Sequence, residues 1–484
     1  MVFSTIEFLN YFLPVVFLLY FLVPFRFKNL VLLITSLVFY AWGEPTYVFL
    51  MLGTCLSSYV HGILIGKFKG TKWSKFFLVT SIVTSVAILG FFKYANFFIM
   101  NINDLFGTGI AFLKLALPVG ISFYTFQTLS YTIDVYRGEA EVQKSFIRLS
   151  TYVALFPQLV AGPIVRYTTV EEDLTYRTHS FEKFSMGATR FVLGLGKKLL
   201  IADQFYRLAE TCFRQSDDKS VAFYWLYAIA NALYIYFDFS AYSDMAIGLG
   251  HIFGFRFLEN FNYPFISKTV AEFWRRWHIS LGTWFRDYVY IPLGGNRVSF
   301  LKFIRNTLVV WFLTGFWHGA AWKYIVWGLY FFVFLIAEKF FLNKCFKKLG
   351  AFFDAHVKVP VLRRFPAFLS HVYVVVTILV SFVIFNTVDL KEGMQFIGAM
   401  FGAGDLPFWS AHTTYYLANY SILLVAAILG ATPVVKQTVL KIKANQTGEK
   451  IINVLEPIAV VVVLTLCVAT LVNDSFTPFL YFQF

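Results

Sequence analysis

The sequence predicts an all-α, polytopic membrane protein, and three observations carry that expectation. Apolar residues fill 58% of the 484 positions and charged residues only 14%, where a soluble domain carries about 25% charge. With 60 Phe and 11 Trp, the chain holds more apolar surface than its polar groups could cover in water. The charges it has fall in short clusters between apolar runs, the pattern of helices crossing a bilayer. Roughly 11–12 transmembrane or re-entrant helices fit this length. They are expected to form one transmembrane domain over 1–484, with a central region at about 112–338 and peripheral spans at 1–111 and 339–484.

Apolar segments lie near 8–25, 29–43, 46–65, 76–94, 112–135, 148–164, 222–237, 306–317, 321–338, 371–388, 414–433 and 454–472. Several fall short of the ~20 residues of a straight span, so some are expected to be re-entrant or buried among neighbours. The first has no basic stretch before it and no small-residue cleavage site, which reads as a retained span.

Basic clusters orient the spans. Arg26 and Lys28 follow the first segment, and Lys67, Lys69, Lys72 and Lys75 follow the third. Further clusters lie between Lys339 and Arg364 and between Lys436 and Lys450. With every cluster in the cytoplasm the spans alternate consistently, and both termini face outwards. The net charge of +14 therefore reports topology. Nucleic-acid binding is excluded, because it needs a basic face on a polar domain that this chain lacks.

The middle of the chain differs. Segment 181–204 mixes a Phe/Leu face with Arg190, Lys197 and Lys198, and segment 268–290 interleaves Trp and Phe with Arg275, Arg276 and Arg286. Neither is apolar enough to span, and both suit helices lying at the cytoplasmic interface. Four scattered cysteines, Cys55, Cys212, Cys345 and Cys467, have neither disulfide nor ligand spacing, so no metal site is expected.

An ionisable group inside a membrane is costly, which makes each one a candidate for function. His318 lies between the apolar stretches 306–317 and 321–338, flanked by Gly315 and Gly319. Basic residues at both ends put it at the far turn of an excursion from the cytoplasm. A neutral imidazole there can take a proton from a hydroxyl, or simply hydrogen-bond among helices. Around it Phe316, Trp317, Gly319 and Trp322 can wall a narrow passage or merely pack.

His278 sits among Arg275, Arg276 and Arg286, which suit either the phosphates of a nucleotide-like or pantetheine donor or those of lipid headgroups. Asp238 and Asp244, six apart, do not share a helical face and make a weak carboxylate pair. Gly294 and Gly295 form a turn without the spacing of a phosphate loop.

FWRRWHISLGTWFRDYVYIPLGGNR, followed by GFWHGAAW, resembles the signature of the MBOAT family, the membrane-bound O-acyltransferases. YFDFSAYSDMAIGLG, LPVGISFYTFQTLSYTIDVYRGE and LFPQLVAGPIVR resemble further blocks of its bacterial polysaccharide-modifying branch, as do MVFSTIEFLNYFLP and FFKYANFF. The likeness covers nearly the whole chain.

The resemblance implies an MBOAT-like core in a bacterial plasma membrane and an O-acetyltransferase acting on an extracytoplasmic polysaccharide such as alginate. His318 matches the family's invariant histidine and His278 its second. The donor it implies is a cytoplasmic thioester, acetyl-CoA or an acyl-carrier protein, with no permanently bound cofactor. Arg275, Arg276, Arg286, Asp238, Asp244 and Trp317 then position donor or partner. Implied partners are a separate SGNH-type transferase outside the cytoplasm and polysaccharide export machinery. D-alanyl transfer to teichoic acids is the alternative chemistry. A transporter would instead spread polar residues over several spans, and a scaffold would not need His318.

Overall fold

Proline and glycine decide where the apolar runs break. The computed structural model describes residues 1–214, 219–473 and 479, and all the regular structure among them is helical. In order come α1 (Leu13–Leu22), α2 (Phe25–Ala41), α3 (Tyr47–Lys67), α4 (Lys72–Phe106), α5 (Ile121–Arg137), α6 (Phe146–Ala154), α7 (Phe156–Leu159), α8 (Tyr167–Thr175), α9 (Phe181–Gly196) and α10 (Asp203–Arg214). There follow α11 (Val221–Phe253), α12 (Val270–Arg276), α13 (Ile279–Phe285), α14 (Phe300–His318), α15 (Trp322–Ala337) and α16 (Asn343–His356). The chain continues with α17 (Phe365–Asn386), α18 (Leu390–Met400), α19 (Ala411–Gly430), α20 (Val434–Lys443) and α21 (Gln446–Asn473).

Two compact units result. Unit one holds Met1–Gly196, Ala241–Glu259 and the chain from Val462, and unit two holds Lys197–Ser240 and Asn260–Val461. In unit one α2, α3, α5 and α6 pack on one another, and rings from Phe8, Phe12, Phe39 and Phe156 form a knot, with centroids 5.4–6.2 Å apart in the closest pairs. Nearly all of α5 is buried, so its hydroxyls bond back to their own helix, as Thr128 does to the Tyr124 carbonyl at 2.9 Å.

In unit two α14 and α15 form a tight hairpin. A Cβ on Gly315 would stand 2.3 Å from the Tyr324 carbonyl oxygen, and one on Gly328 2.3 Å from that of Trp311. The backbones meet at these glycines, the contact that small residues permit in membranes.

Among the described residues six helical stretches are long and apolar enough to cross a bilayer: Tyr47–Lys67, Lys72–Phe106, Trp322–His356, Leu362–Asn386, Ala411–Gly430 and Gln446–Asn473. The chain is a multi-pass membrane protein built of helices, as the sequence predicts. Most of the remaining apolar segments are shorter helices. Segment 112–135 begins its helix only at Ile121, because Pro118 and a left-handed Gly120 (φ +76°) precede it. Segment 148–164 is divided between α6 and α7, both buried. Segment 222–237 runs on as α11 to Phe253. The basic stretch after Lys339 is no loop at first: α15 continues through a π-turn into α16. The 35-residue stretch is about 50 Å long, so its lysine-rich end extends past a hydrocarbon core of ~30 Å.

Each of the two central segments carries a polar side chain that is fully or almost fully buried. Lys198 and His278 are 0% and 2% exposed. Burial is possible because each side chain finds polar partners inside unit two.

Candidate functional site

Unit two brings His278, Trp317, His318 and Asp238 together with groups that the sequence did not single out. His278 interrupts the α12–α13 run in a left-handed conformation (φ +46°), a strained backbone for a non-glycine residue that surrounding contacts must hold. Asn260 supplies them. Its carbonyl accepts from the Ile279 N–H at 3.0 Å, and its side-chain Oδ1 accepts from the Ser280 N–H at 3.2 Å and the Ser280 hydroxyl at 2.9 Å. A backbone N–H can only donate, so this contact fixes which end of the amide is oxygen. The His278 Nδ1, 3.2 Å from that oxygen, is then the protonated nitrogen, and Nε2 keeps the lone pair. Burial pushes the His278 imidazole down to about 3, so the ring is neutral at pH 7.

His318 closes α14 at the apex of the hairpin. Its ring packs edge-on against Trp317, Trp327 and Phe385, with centroids at 4.9, 5.0 and 5.2 Å. Gly319 follows because the Tyr324 ring occupies the space where a Cβ would stand, 2.3 Å away. The apex is tied to the end of α17: Lys323 Nζ donates to the Thr387 carbonyl at 2.6 Å. Asn386 donates to Asn231 Oδ1 at 2.7 Å, and Asn231 to the Phe382 carbonyl at 3.0 Å, which joins α17 to α11.

Trp317 touches both histidines, since its ring lies 6.1 Å from that of His278 and 4.9 Å from that of His318. The Phe239 ring also packs on His278, at 4.7 Å. Of the walls expected around His318, Trp317 is one. Trp322 is 54% exposed and Phe316 stacks on Phe312. Trp327 and Phe385 stand nearer, and nothing local in the sequence marks them.

Asp238 precedes Phe239 and pairs with Lys198 at 2.7 Å, and Lys198 also pairs with Asp203 at 2.8 Å. These three buried groups carry one negative charge more than positive. Burial raises the Asp203 carboxyl to about 6 despite the lysine beside it, so a proton taken up below that pH goes to Asp203. Asp244 lies in unit one, in an ion pair with Arg190 at 2.8 Å, and Arg190 also binds Glu259. The two aspartates are thus in separate ion-pair networks.

Of the three arginines, Arg276 pairs with Glu272 at 2.9 Å and Arg286 with Asp287 at 2.6 Å, while Arg275 is exposed. The buried Glu338 accepts from the Val270 and Ala271 N–H groups at the start of α12, pinning that helix to α15. At the foot of the hairpin a cavity of about 580 Å³ is lined by Trp311, Glu338, Lys339, Lys344 and Lys347, among others. The Trp311 ring lies 6.5 Å from Trp327, which touches His318. No cluster able to hold a metal occurs among the described residues.

The model of the membrane-bound O-acyltransferase family matches residues 139–380. "Probable alginate O-acetylase AlgI" of Azotobacter vinelandii is 37% identical, with the whole of both chains covered. "Peptidoglycan O-acetyltransferase" of Helicobacter pylori is 36% identical over 68% of each chain. "Teichoic acid D-alanyltransferase" of Bacillus subtilis is 32% identical over 47% of this chain and 61% of its own. The chain belongs to the membrane-bound O-acyltransferase family, as a multi-pass membrane O-acetyltransferase.

Proposed function

We propose that this protein passes acetyl groups from a cytoplasmic thioester donor, acetyl-CoA or an acyl-carrier protein, to the outer face of a bacterial inner membrane for O-acetylation of a polysaccharide such as alginate. The observation that carries the polymer class is the full-length similarity to a relative named for alginate O-acetylation. D-alanyl transfer is the weaker reading, since that relative covers under half of this chain. The acetyl group then reaches the glycan through an extracytoplasmic SGNH-type partner and the export machinery.

In this reading His318 takes the proton of the incoming hydroxyl as that oxygen attacks the thioester carbonyl. The thiol leaves, and the displaced proton ends on it or on solvent. His278 offers its Nε2 lone pair from across Trp317, and Arg275 with the lysines at the foot of the hairpin meets donor phosphates. Closely packed rings keep water from the thioester. Replacing His278 by Ala is expected to remove most of the activity. Replacing Asn260 by Ala frees the imidazole tautomer and is expected to cost about ten-fold, the weight of one buried hydrogen bond. Acetate released by base from purified glycan, per amount of membrane protein, reads both. Wild-type acetate from the Asn260 variant overturns the tautomer assignment.

The orientation places both termini outside and residues 66–75 and 339–365 inside. Single cysteines in those segments, in a cysteine-free protein, are expected to resist an impermeant thiol reagent until cells are permeabilised. Labelling of the 66–75 segment in intact cells overturns it.

A further inference from the structure

Unit one contains a buried cationic group for which the acetyl-transfer chemistry has no use. Arg177 is 4% exposed, yet its guanidinium meets only uncharged acceptors. Nε donates to the Tyr20 hydroxyl at 2.9 Å and the Phe253 carbonyl at 3.0 Å. Nη1 donates to Asn29 Oδ1 at 2.7 Å and the Asp173 carbonyl at 3.0 Å. The buried Nη2 has no acceptor among the described residues, and no described carboxylate lies within ion-pairing distance of the guanidinium. A second cation makes the imbalance worse. The Lys28 ammonium sits 4.4 Å from the centre of the Tyr20 ring, on which Arg177 also lies at 5.6 Å. Lys28 is 9% exposed and forms no hydrogen bond or ion pair with any described residue.

Two uncompensated positive charges held around one ring are costly unless an anion joins them. His179, whose Nε2 is 2.8 Å from the same Tyr20 hydroxyl, registers the field: burial and the charges of Lys28 and Arg177 push it down to about 4.

There is room for an anion beside Arg177. Arg177 lines a cavity of about 920 Å³, which Lys183 and Arg256 also line. Acidic groups share this cavity, but two of them are engaged with backbone. Asp173 Oδ2 accepts from the Arg256 N–H at 3.0 Å, and Glu171 Oε1 from the Glu141 N–H at 3.2 Å. The surroundings favour a ligand that belongs to a membrane. Phe25 and Tyr176 beside the cluster are both exposed. The Phe25 ring lies 6.3 Å from Tyr176 and 5.4 Å from the Arg177 guanidinium carbon. Exposed rings around buried cations are what a protein presents at headgroup depth.

We propose that Arg177 and Lys28 form a phosphate-ester site that takes the headgroup phosphate of a membrane phospholipid, with Lys183 on its rim. Arginine suits the task because its planar fork can give two donors to one phosphate.

The test is native mass spectrometry of the full-length protein, purified and stripped of lipid in detergent. It is titrated with phosphatidylglycerol, with diacylglycerol of the same chains, and with inorganic phosphate. One phosphatidylglycerol is expected to be retained, and diacylglycerol at least ten-fold more weakly. Arg177→Gln is expected to weaken phosphatidylglycerol binding ten-fold or more, and Lys28→Gln several-fold. Arg177 joins four segments and its variant can fail to fold, whereas Lys28 contributes only ring contacts, so Lys28→Gln keeps the result readable. Wild-type retention by Lys28→Gln overturns the site. So does equal retention of diacylglycerol, which would make the contact purely apolar. Displacement of the lipid by an equal concentration of inorganic phosphate overturns the membrane source and leaves a soluble anion as the ligand.

Discussion

Cells carrying only His318→Ala are expected to make polysaccharide with no measurable O-acetyl groups, from protein that inserts and accumulates normally. The base at the apex contributes on the order of 10²–10⁴ in rate. The structural cost is smaller. Truncation leaves a pocket among three rings, worth about 2–5 kcal/mol as for other large-to-small changes, and the hairpin keeps its glycine contact and its Lys323 tie. His318→Gln keeps the volume and some hydrogen bonding without a usable base, and is expected to be nearly as inactive. Acetyl content measured by proton NMR of the isolated glycan, normalised to protein in the membrane, reads the loss. Full acetylation from either variant removes His318 from the chemistry.

The largest effect on stability is expected at Lys198. Its ammonium is fully buried between Asp238 and Asp203. Lys198→Met removes the ammonium held between two buried carboxylates, a loss of about 3–5 kcal/mol for breaking a buried pair from one side. Little folded protein should be recovered, with an earlier thermal transition in what remains. Asp203→Asn should be far milder, because it removes the surplus negative charge and leaves the Lys198–Asp238 pair intact. The two aspartate variants also differ with pH. Burial raises Asp203 from 3.8 to about 6, so the folded state holds that proton more tightly than the unfolded chain. Its stabilising contribution is full below pH 3.8 and is lost as pH rises through 6. Asp203→Asn should flatten the thermal midpoint across that window, and Asp238→Asn, which removes only a neighbouring charge, should flatten it less. Equal midpoints for Lys198→Met and wild type would contradict the triad's structural role.

These residues also show what a sequence can reveal. The hairpin with His318 at its apex was legible because apolar arms, flanking glycines and basic ends all lie within about forty residues. Lys198 was not, because composition alone reads a lysine beside a Phe/Leu face as reaching for solvent. Its partner Asp238 is forty residues away on another helix. His278 was visible as a motif residue but not as a buried one, since the arginines and tryptophans around it have the composition of an interface. Its tautomer depends on Asn260, eighteen positions earlier and outside every pattern. The weakness of the Asp238–Asp244 pair followed from helical spacing alone. Their separate ion pairs required the fold. The late start of α5 was written in Pro118 and Gly120, whose breaking effect the apolar run around them conceals.

The most direct test of cross-membrane acetyl transfer uses purified protein in sealed proteoliposomes, with its orientation established by the cysteine probes. Acetyl-CoA carrying a labelled acetyl group is added on one face and an oligosaccharide acceptor on the other, with the SGNH-type partner on the acceptor side. Label is expected on the acceptor only when donor meets the face bearing residues 66–75 and 339–365, and not with His318→Ala. Equal labelling with donor on either face, or labelling that survives His318→Ala, would contradict the account.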